Sequence, residues 1–377
     1  MPTLKPRAIL IDVVPPRTDP RIAERRLLEL ESLTDTFGGI VVVKLLQKKD
    51  SPNYRTYIGP GKIDELIALA KAEKATLIVV NNLLKPRQMY ELNEKLRPHK
   101  LVAWDRVDLI LKIFQQHAKT VEAKLQIKLA AIDHMGPRIF GMGMEMMQQV
   151  GGVGVRGGQG ETNTELMKRH LTKEAEHVKK ELEKIGRTRK LHRDRRARLG
   201  LQTVSIVGYT NAGKSSLLNA LTRKGAYVAD ALFATLDTRV GKILIPRSPQ
   251  KEEEAAEIVP VLASDTIGFI QDLPPQLIQA FRSTLDETVA ADLLLHVIDV
   301  SDAYMTEKIE EVEGVLAQLE LEHAQAIYVF NKIDRVKRIA KATLLKKYKE
   351  KTPVFVSAVT GDGLEDLKYM IGKRLGV

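Results

Sequence analysis

Cysteine is absent from all 377 residues, which excludes a disulfide framework and thiolate metal or redox chemistry, and is compatible with a reducing compartment. No apolar run approaches the length of a bilayer-spanning helix. The opening Met1-Pro-Thr-Leu-Lys-Pro-Arg7 lacks the apolar stretch and small-residue cleavage site of a secretory leader. The expectation is a monomeric cytoplasmic protein that does not span a membrane, with at most a peripheral membrane fraction. A phosphate-binding loop is also missing before residue 200. Gly59-Pro-Gly-Lys62 has neither the spacing nor the following Ser or Thr.

What is there is enough for two or three folded domains, with 44% hydrophobic and 28% charged residues. The net charge is +11, and residues 161–200 hold 13 Lys and Arg against 7 Asp and Glu, so +6 of it sits in that stretch. A basic stripe of this kind suits a polyanion, because Lys and Arg displace counterions from phosphates; a solvated helix face is the plainer reading.

The strand-like runs 7–14, 40–46 and 76–80 alternate with helical periods around 21–33, 61–72 and 85–96, which predicts a small parallel α/β domain at 1–107. From Ile110 the apolar positions Phe114, Ala118, Val121, Leu125, Leu129 and Ile132 keep one face of a single long helix apolar. A second long helix, with Leu171, Ala175, Val178, Leu182 and Ile185 as its stripe, runs from about 161 toward 198. The two predict an antiparallel helical hairpin over 108–200. Between them, 136–160 hold nine of the 25 glycines and read as a glycine-rich loop.

A strand candidate at 201–207 leads into Gly208, Tyr209, Thr210, Asn211, Ala212, Gly213, Lys214 and Ser215, followed by a helical pattern. Strand, loop and helix are the context a phosphate cradle needs: backbone amides and a helix N-terminus face the anion, Lys214 reaches the β and γ phosphates, and Ser215 offers magnesium a hydroxyl. Asp265, Thr266, Ile267 and Gly268 close another strand, where Asp265 would hold magnesium through water and the Gly268 amide would meet the γ-phosphate. Thr235, within Phe233, Ala234, Thr235, Leu236 and Asp237, stands where a second magnesium-binding hydroxyl is expected.

Guanine presents two adjacent donors, and one carboxylate accepts both, which assigns base selection to Asp334 in Asn331, Lys332, Ile333 and Asp334. Ser357, Ala358 and Val359 follow where a backbone amide can reach the guanine carbonyl. The sequence therefore predicts a guanine-nucleotide domain at 201–377 of Ras-like P-loop type, binding GTP and GDP with Mg2+. Phe269 occupies the place where many such enzymes carry the glutamine that orients water. Asn211 either joins a potassium site beside the phosphates or only stabilises the loop.

Thr120–Ala130, Arg156–Thr162, Gly208–Ser215, Phe233–Asp237 and Asp265–Phe269 together resemble the HflX family of ribosome-associated GTPases. Tyr57–Lys62 and Trp104–Val107 add to the likeness. The resemblance implies a GTPase that binds the large ribosomal subunit and its rRNA, with the N-terminal domain and hairpin entering the ribosome, and that splits or rescues stalled ribosomes. It also implies that a hydrophobic residue after the Asp-x-x-Gly motif is usual. On that reading Arg187, Arg189, Lys190, Arg193, Arg195, Arg196 and Arg198 contact rRNA phosphates. Departures are Gly158-Gln159 in place of a single proline, Asn163 after Thr162, and Thr238-Arg239 where a second threonine or proline is common. The alternative is a nucleotide-gated RNA-binding or RNA-remodelling protein with incidental turnover.

Overall fold

The computed structural model describes residues 5–150, 163–222, 239–246, 258–265, 268–270, 277, 288–321, 323–338 and 340–377, with the backbone alone at 137, 139–150, 163, 164, 197 and 239. The chain divides into two compact units, 1–116 with 124–182 and 117–123 with 183–377.

The first unit carries β1 (Arg7–Val14), α1 (Pro20–Phe37), β2 (Ile40–Lys48), α2 (Pro60–Ala72), β3 (Leu77–Val80), α3 (Pro86–Leu96), β4 (Val102–Asp105) and α4 (Arg106–His117). All pairings are parallel, in the order β2-β1-β3-β4. Helices on both sides of a parallel sheet remove its strands from water, and β3 accordingly reads as an unbroken Leu, Ile and Val run, while β1 is apolar from Ala8 to Val14 except for the buried Asp12. The core gathers Ile9, Ile11, Ile58, Leu66, Ile78, Val80 and Leu92. α1 starts where the Asp19 carboxylate accepts the Arg21 amide, ahead of Pro20, and stops at Gly38 in the left-handed conformation (φ 95°).

Two expectations for the helical region need correction. The single helix drawn through Ile110 and Ile132 is broken at 118–120, and α5 (Val121–Val150) starts afresh. The Thr120 hydroxyl accepts the Ala123 amide (3.2 Å), a bond that an unbroken helix would have given to the Lys119 carbonyl. Restarting the helix also rotates its face: Val121 is exposed, while Ala123, Gln126, Ile127 and Ala130 form the buried line. The glycine-rich loop expected from 136 does not begin there, because α5 continues to Val150. Only Gly136, Gly141 and Gly143 of the nine glycines fall in that stretch, among Met, Glu and Gln residues that favour helix. The remainder, 151–160, lies outside the described residues.

The second long helix is α6 (Asn163–Arg198). Glu122 in the first turn of α5 pairs with Arg189 near the end of α6, as an antiparallel hairpin requires. Within the first unit Lys128 of α5 meets Glu174 of α6 at 2.7 Å. α5 is fastened to the end of the parallel sheet by a clasp. Arg138 Nη1 donates to both Asp108 oxygens (2.9 and 2.8 Å), Arg138 Nη2 donates to Asp105 Oδ2, and His134 Nε2 lies 3.3 Å from an oxygen of each aspartate. Asp105, Asp108 and His134 are donor types that bind metals, but the Arg138 guanidinium is already the cation between the two carboxylates.

The second unit contains β5 (Thr203–Gly208), α7 (Lys214–Thr222), β6 (Arg239–Pro246), β7 (Ile258–Asp265), β8 (Leu293–Asp299), α8 (Met305–Gln318), β9 (Ala326–Asn331), α9 (Lys341–Lys347), β10 (Val354–Phe355) and α10 (Leu364–Leu375). The sheet order is β10-β9-β8-β5-β7-β6, parallel except that the edge strand β6 runs antiparallel to β7. Val204, Ile206, Leu217, Leu295, Val297, Ile327 and Val329 pack its core. β5 lies inside the sheet, so the loop that follows it opens at the carboxyl end of the strands, where open α/β sheets take ligands.

Candidate functional site

The loop 208–215 is held in shape by backbone bonds to the segment after β7. Phe269 N donates to the Gly208 carbonyl (3.1 Å) and Thr210 N to the Phe269 carbonyl (2.7 Å). Glycine is required twice. A Cβ on Gly208 would sit 2.4 Å from the Val297 carbonyl oxygen, and one on Gly213 (φ 93°) would sit 2.3 Å from Asn331 Nδ2. Asn211 is left-handed (φ 61°), a conformation that asparagine tolerates better than most residues. Its side chain is exposed, and its carbonyl accepts Lys332 Nζ at 2.7 Å. Thr210 Oγ1 is buried without a hydrogen-bond partner, a condition that favours a ligand able to supply one.

Lys214 opens α7 and its ammonium donates to the Tyr209 carbonyl (2.8 Å). Burial lowers its pKa to about 8, with Asp265 opposing and Lys332 adding to the effect. Such an ammonium is poised to gain from an anion. Ser215 Oγ donates to Asp265 Oδ2 at 2.6 Å. A hydroxyl and a carboxylate side by side are hard oxygen donors of the kind magnesium takes, so these residues fit that ion. A Cβ on Gly268 would meet Lys214 Nζ and Thr210 Cγ2, each at 2.8 Å, so the Gly268 backbone closes directly over the lysine. Phe269 points away from such a site: its ring is buried with Val207, Tyr209, Leu294 and Val312.

At the other end, Asn331 ties two loops together. Its Nδ2 donates to the Ala212 carbonyl (2.9 Å) and its Oδ1 accepts the Ala358 amide (3.0 Å). Lys332 Nζ reaches from the Asn211 carbonyl to Asp299 Oδ2 (2.7 Å), stretching its stem along the loop. Asp334 is exposed, with Oδ1 accepting the Ser357 hydroxyl at 2.5 Å. Ser357 thereby aims the carboxylate, while its own amide donates to Asp362 O. The Ser357 and Ala358 amides are thus already engaged, and the one on Ala358 would have to be shared between Asn331 and a base. Val359 is 80% exposed and its amide donates to Ser357 Oγ at 3.3 Å.

The structure therefore brings Gly208–Ser215, Asp265, Gly268, Asn331–Asp334 and Ser357–Val359 to one end of the sheet. Phe233, Ala234, Thr235, Leu236, Asp237, Thr266 and Ile267 lie outside the described residues. Sequence reasoning missed Asp299, whose signal is its register opposite Asn331 on neighbouring strands. Of the basic residues on α6, Arg187, Lys190, Arg195 and Arg198 are exposed. Arg189 is committed to Glu122, and Arg193 and Arg196 line a hollow with Gln202 and Asp292.

Three family descriptions match in chain order: GTP-binding GTPase N-terminal at 24–115, GTP-binding GTPase middle region at 117–196, and 50S ribosome-binding GTPase at 203–332. Among similar proteins, GTPase HflX of Caldanaerobacter subterraneus is 40% identical over 98% of this chain and 81% of its own. GTPase HflX of Magnetococcus marinus is 38% identical (98% and 82%), and that of Escherichia coli 36% (93% and 79%). In fold, the chain is similar to a GTP-binding protein from Sulfolobus solfataricus solved with GDP, at 23% identity, 98% and 99% coverage and a TM-score of 0.50.

Proposed function

The chain belongs to the HflX family and is a GTPase, and from that premise we propose that it binds the large ribosomal subunit in its GTP form and splits or rescues stalled ribosomes. Residues 1–107 and 108–200 would enter the ribosome, and 201–377 would turn over the nucleotide. The observation that carries this reading is the match of residues 203–332 to a 50S ribosome-binding GTPase. It is supported by the exposed Arg187, Lys190, Arg195 and Arg198 on α6, which suit rRNA phosphates.

Within the site, the amides of 208–215 and the α7 N-terminus cradle the phosphates, and Lys214 pairs with the β and γ groups. Ser215 and Asp265, with Thr235, would hold Mg2+, which neutralises charge across those phosphates. Asp334 accepts the guanine N1–H and N2–H, and the Lys332 stem covers the base. Gly268 and Thr235 sense the γ-phosphate and order their segments, which hydrolysis releases. With Phe269 in the core, this chain lacks a water-orienting side chain at that position, so turnover is slow until the ribosome completes the site. For Asn211 the left-handed backbone and the Lys332 contact favour a loop-building role; faster turnover in potassium than in sodium would favour an ion instead.

Co-sedimentation with separated subunits in GDP and in a nonhydrolysable GTP analogue tests the whole. Binding to the large subunit with the analogue, together with stimulated turnover, is expected. No association in either nucleotide would sink the ribosome reading, and unreduced turnover in Lys214→Ala would sink the assignment of the site.

A further inference from the structure

The loop between β2 and α2 holds an exposed aromatic on an unusually firm frame. Asn53 builds it: its Oδ1 accepts the Arg55 and Thr56 amides (2.9 and 3.1 Å), and its carbonyl accepts Gln88 Nε2 (2.7 Å). Asn53 and Tyr57 exchange backbone bonds of 2.7 and 3.0 Å. Tyr57 is left-handed (φ 66°) with its ring in the core, where its hydroxyl accepts the Val13 amide (3.1 Å) and meets Asp12 Oδ1 (3.3 Å). Tyr54, inside this frame, is 67% exposed.

The surroundings of Tyr54 are cationic rather than apolar. The Arg87 guanidinium lies 5.2 Å from the ring centroid. Arg87 and Arg55 both approach one oxygen of Glu91, at 2.8 and 3.6 Å, and Arg87 Nη1 also donates to the Tyr54 hydroxyl at 3.5 Å. Beside them Lys48 and Lys49 stand against Asp50, a further balance of +1, while Lys62 is paired with Glu65 at 2.8 Å. A fixed aromatic face with an arginine against it and lysines beside it is what an unpaired nucleotide uses: its base stacks and its phosphates meet the charges. Since the loop is already ordered, little conformational entropy is lost when the base docks.

We propose that Tyr54, backed by Arg87, is a stacking platform for an unpaired RNA base. On the ribosome reading above, that base belongs to the large subunit.

The test uses the full chain with Tyr54→Ala, Tyr54→Phe and wild type, each checked for unchanged affinity for a fluorescent GDP analogue. Binding of a short fluorescent oligoadenylate by anisotropy is the first readout, and co-sedimentation with large subunits the second. Tyr54→Ala should weaken oligonucleotide binding about fivefold or more, the share of one base–aromatic stack, while Tyr54→Phe stays near wild type. Undiminished binding by Tyr54→Ala, or no oligonucleotide binding by wild type, overturns the platform. Loss of subunit binding by Tyr54→Ala with oligonucleotide affinity intact also overturns it, assigning the tyrosine to a protein contact. Wild type that binds the oligonucleotide but no subunit leaves the platform standing and sinks the ribosome reading.

Discussion

The two sheets of this protein meet the same topological situation and resolve it in opposite ways. β1 lies between β2 and β3, and β5 between β8 and β7, so both have a carboxyl end where connections diverge and a crevice opens. At β1 the chain fills the crevice with its own side chains. Asp12, fully buried, accepts Arg26 Nε and Asn81 Nδ2 (both 2.8 Å), Arg26 also reaches Asn82 Oδ1 (2.6 Å), and Arg106 joins Asn81 Oδ1 (3.0 Å) to Glu29 Oε1 (2.9 Å). At β5 the chain supplies glycines, a buried ammonium and a buried hydroxyl that lacks a partner. Topology makes the crevice, and residue chemistry decides whether the protein or a ligand occupies it.

The largest effects should come from reversing each choice. Gly213→Ala puts a methyl 2.3 Å from Asn331 Nδ2 at a left-handed φ, and the displaced loop should weaken guanine-nucleotide binding by about a hundredfold. Titration of a fluorescent GDP analogue checks it, and near-normal affinity would mean that the cradle is not shaped this way. The converse is Asp12→Ala, which leaves Arg26 and Asn81 facing a lost carboxylate. It should lower stability by about 3–5 kcal/mol in urea unfolding without changing nucleotide affinity. If nucleotide affinity fell instead, the contrast between a closed and an open crevice would fail.

This contrast was only half legible in the sequence. β5, β7, β9 and β10 are reached by reading motifs, because each ends in residues whose type and order assign them to a nucleotide. β8 ends in Asp299, which belongs to no such motif and acquires meaning only when strand register sets it opposite Asn331. The closed crevice draws Asp12, Arg26, Asn81 and Arg106 from positions far apart in the chain, and no local spacing signals that they meet. The break before α5 was hidden for a different reason. The apolar period continues through Ala118, whereas the capping bond that ends it depends on one hydroxyl of Thr120. Phe269 was read by its place in a motif, but its burial beside Tyr209 is a matter of packing.

A smaller effect separates the open crevice from an inert one through pH. Burial first, and Lys332 after it, hold the Lys214 pKa at about 8 against the pull of Asp265. A triphosphate beside the ammonium raises that value, so binding takes up a proton once the free protein has lost it. Affinity should therefore be flat in this group below pH 8 and fall by up to tenfold per unit above it. Lys214→Arg, which stays charged, should remove the slope whatever it does to the affinity itself. A wild-type affinity independent of pH between 7 and 9 would mean that the ammonium is not buried as described.

The smallest expected effect lies in the clasp that fastens α5 to the first unit, which is closed like the crevice at β1 but contains a histidine. Burial works against the His134 imidazolium, yet the Asp105 and Asp108 carboxylates, each 3.3 Å from Nε2, outweigh it and raise its pKa. Burial likewise resists the Asp108 carboxylate, and His134 and Arg138 overcome it, holding its pKa at about 2. For a raised histidine, the stabilisation is complete below the unfolded value of about 6.5 and is lost as pH rises through the folded one. For the depressed aspartate it is complete above the ordinary carboxylate range and lost as pH falls toward 2. The clasp should thus be firmest in mildly acidic solution and loosen slightly toward alkaline pH. His134→Gln should flatten the alkaline decline in urea-unfolding free energy and leave the acid limb, which belongs to Asp108 and Arg138, in place. An alkaline limb unchanged in the variant would mean that Arg138 alone holds the two aspartates and that the histidine is a bystander.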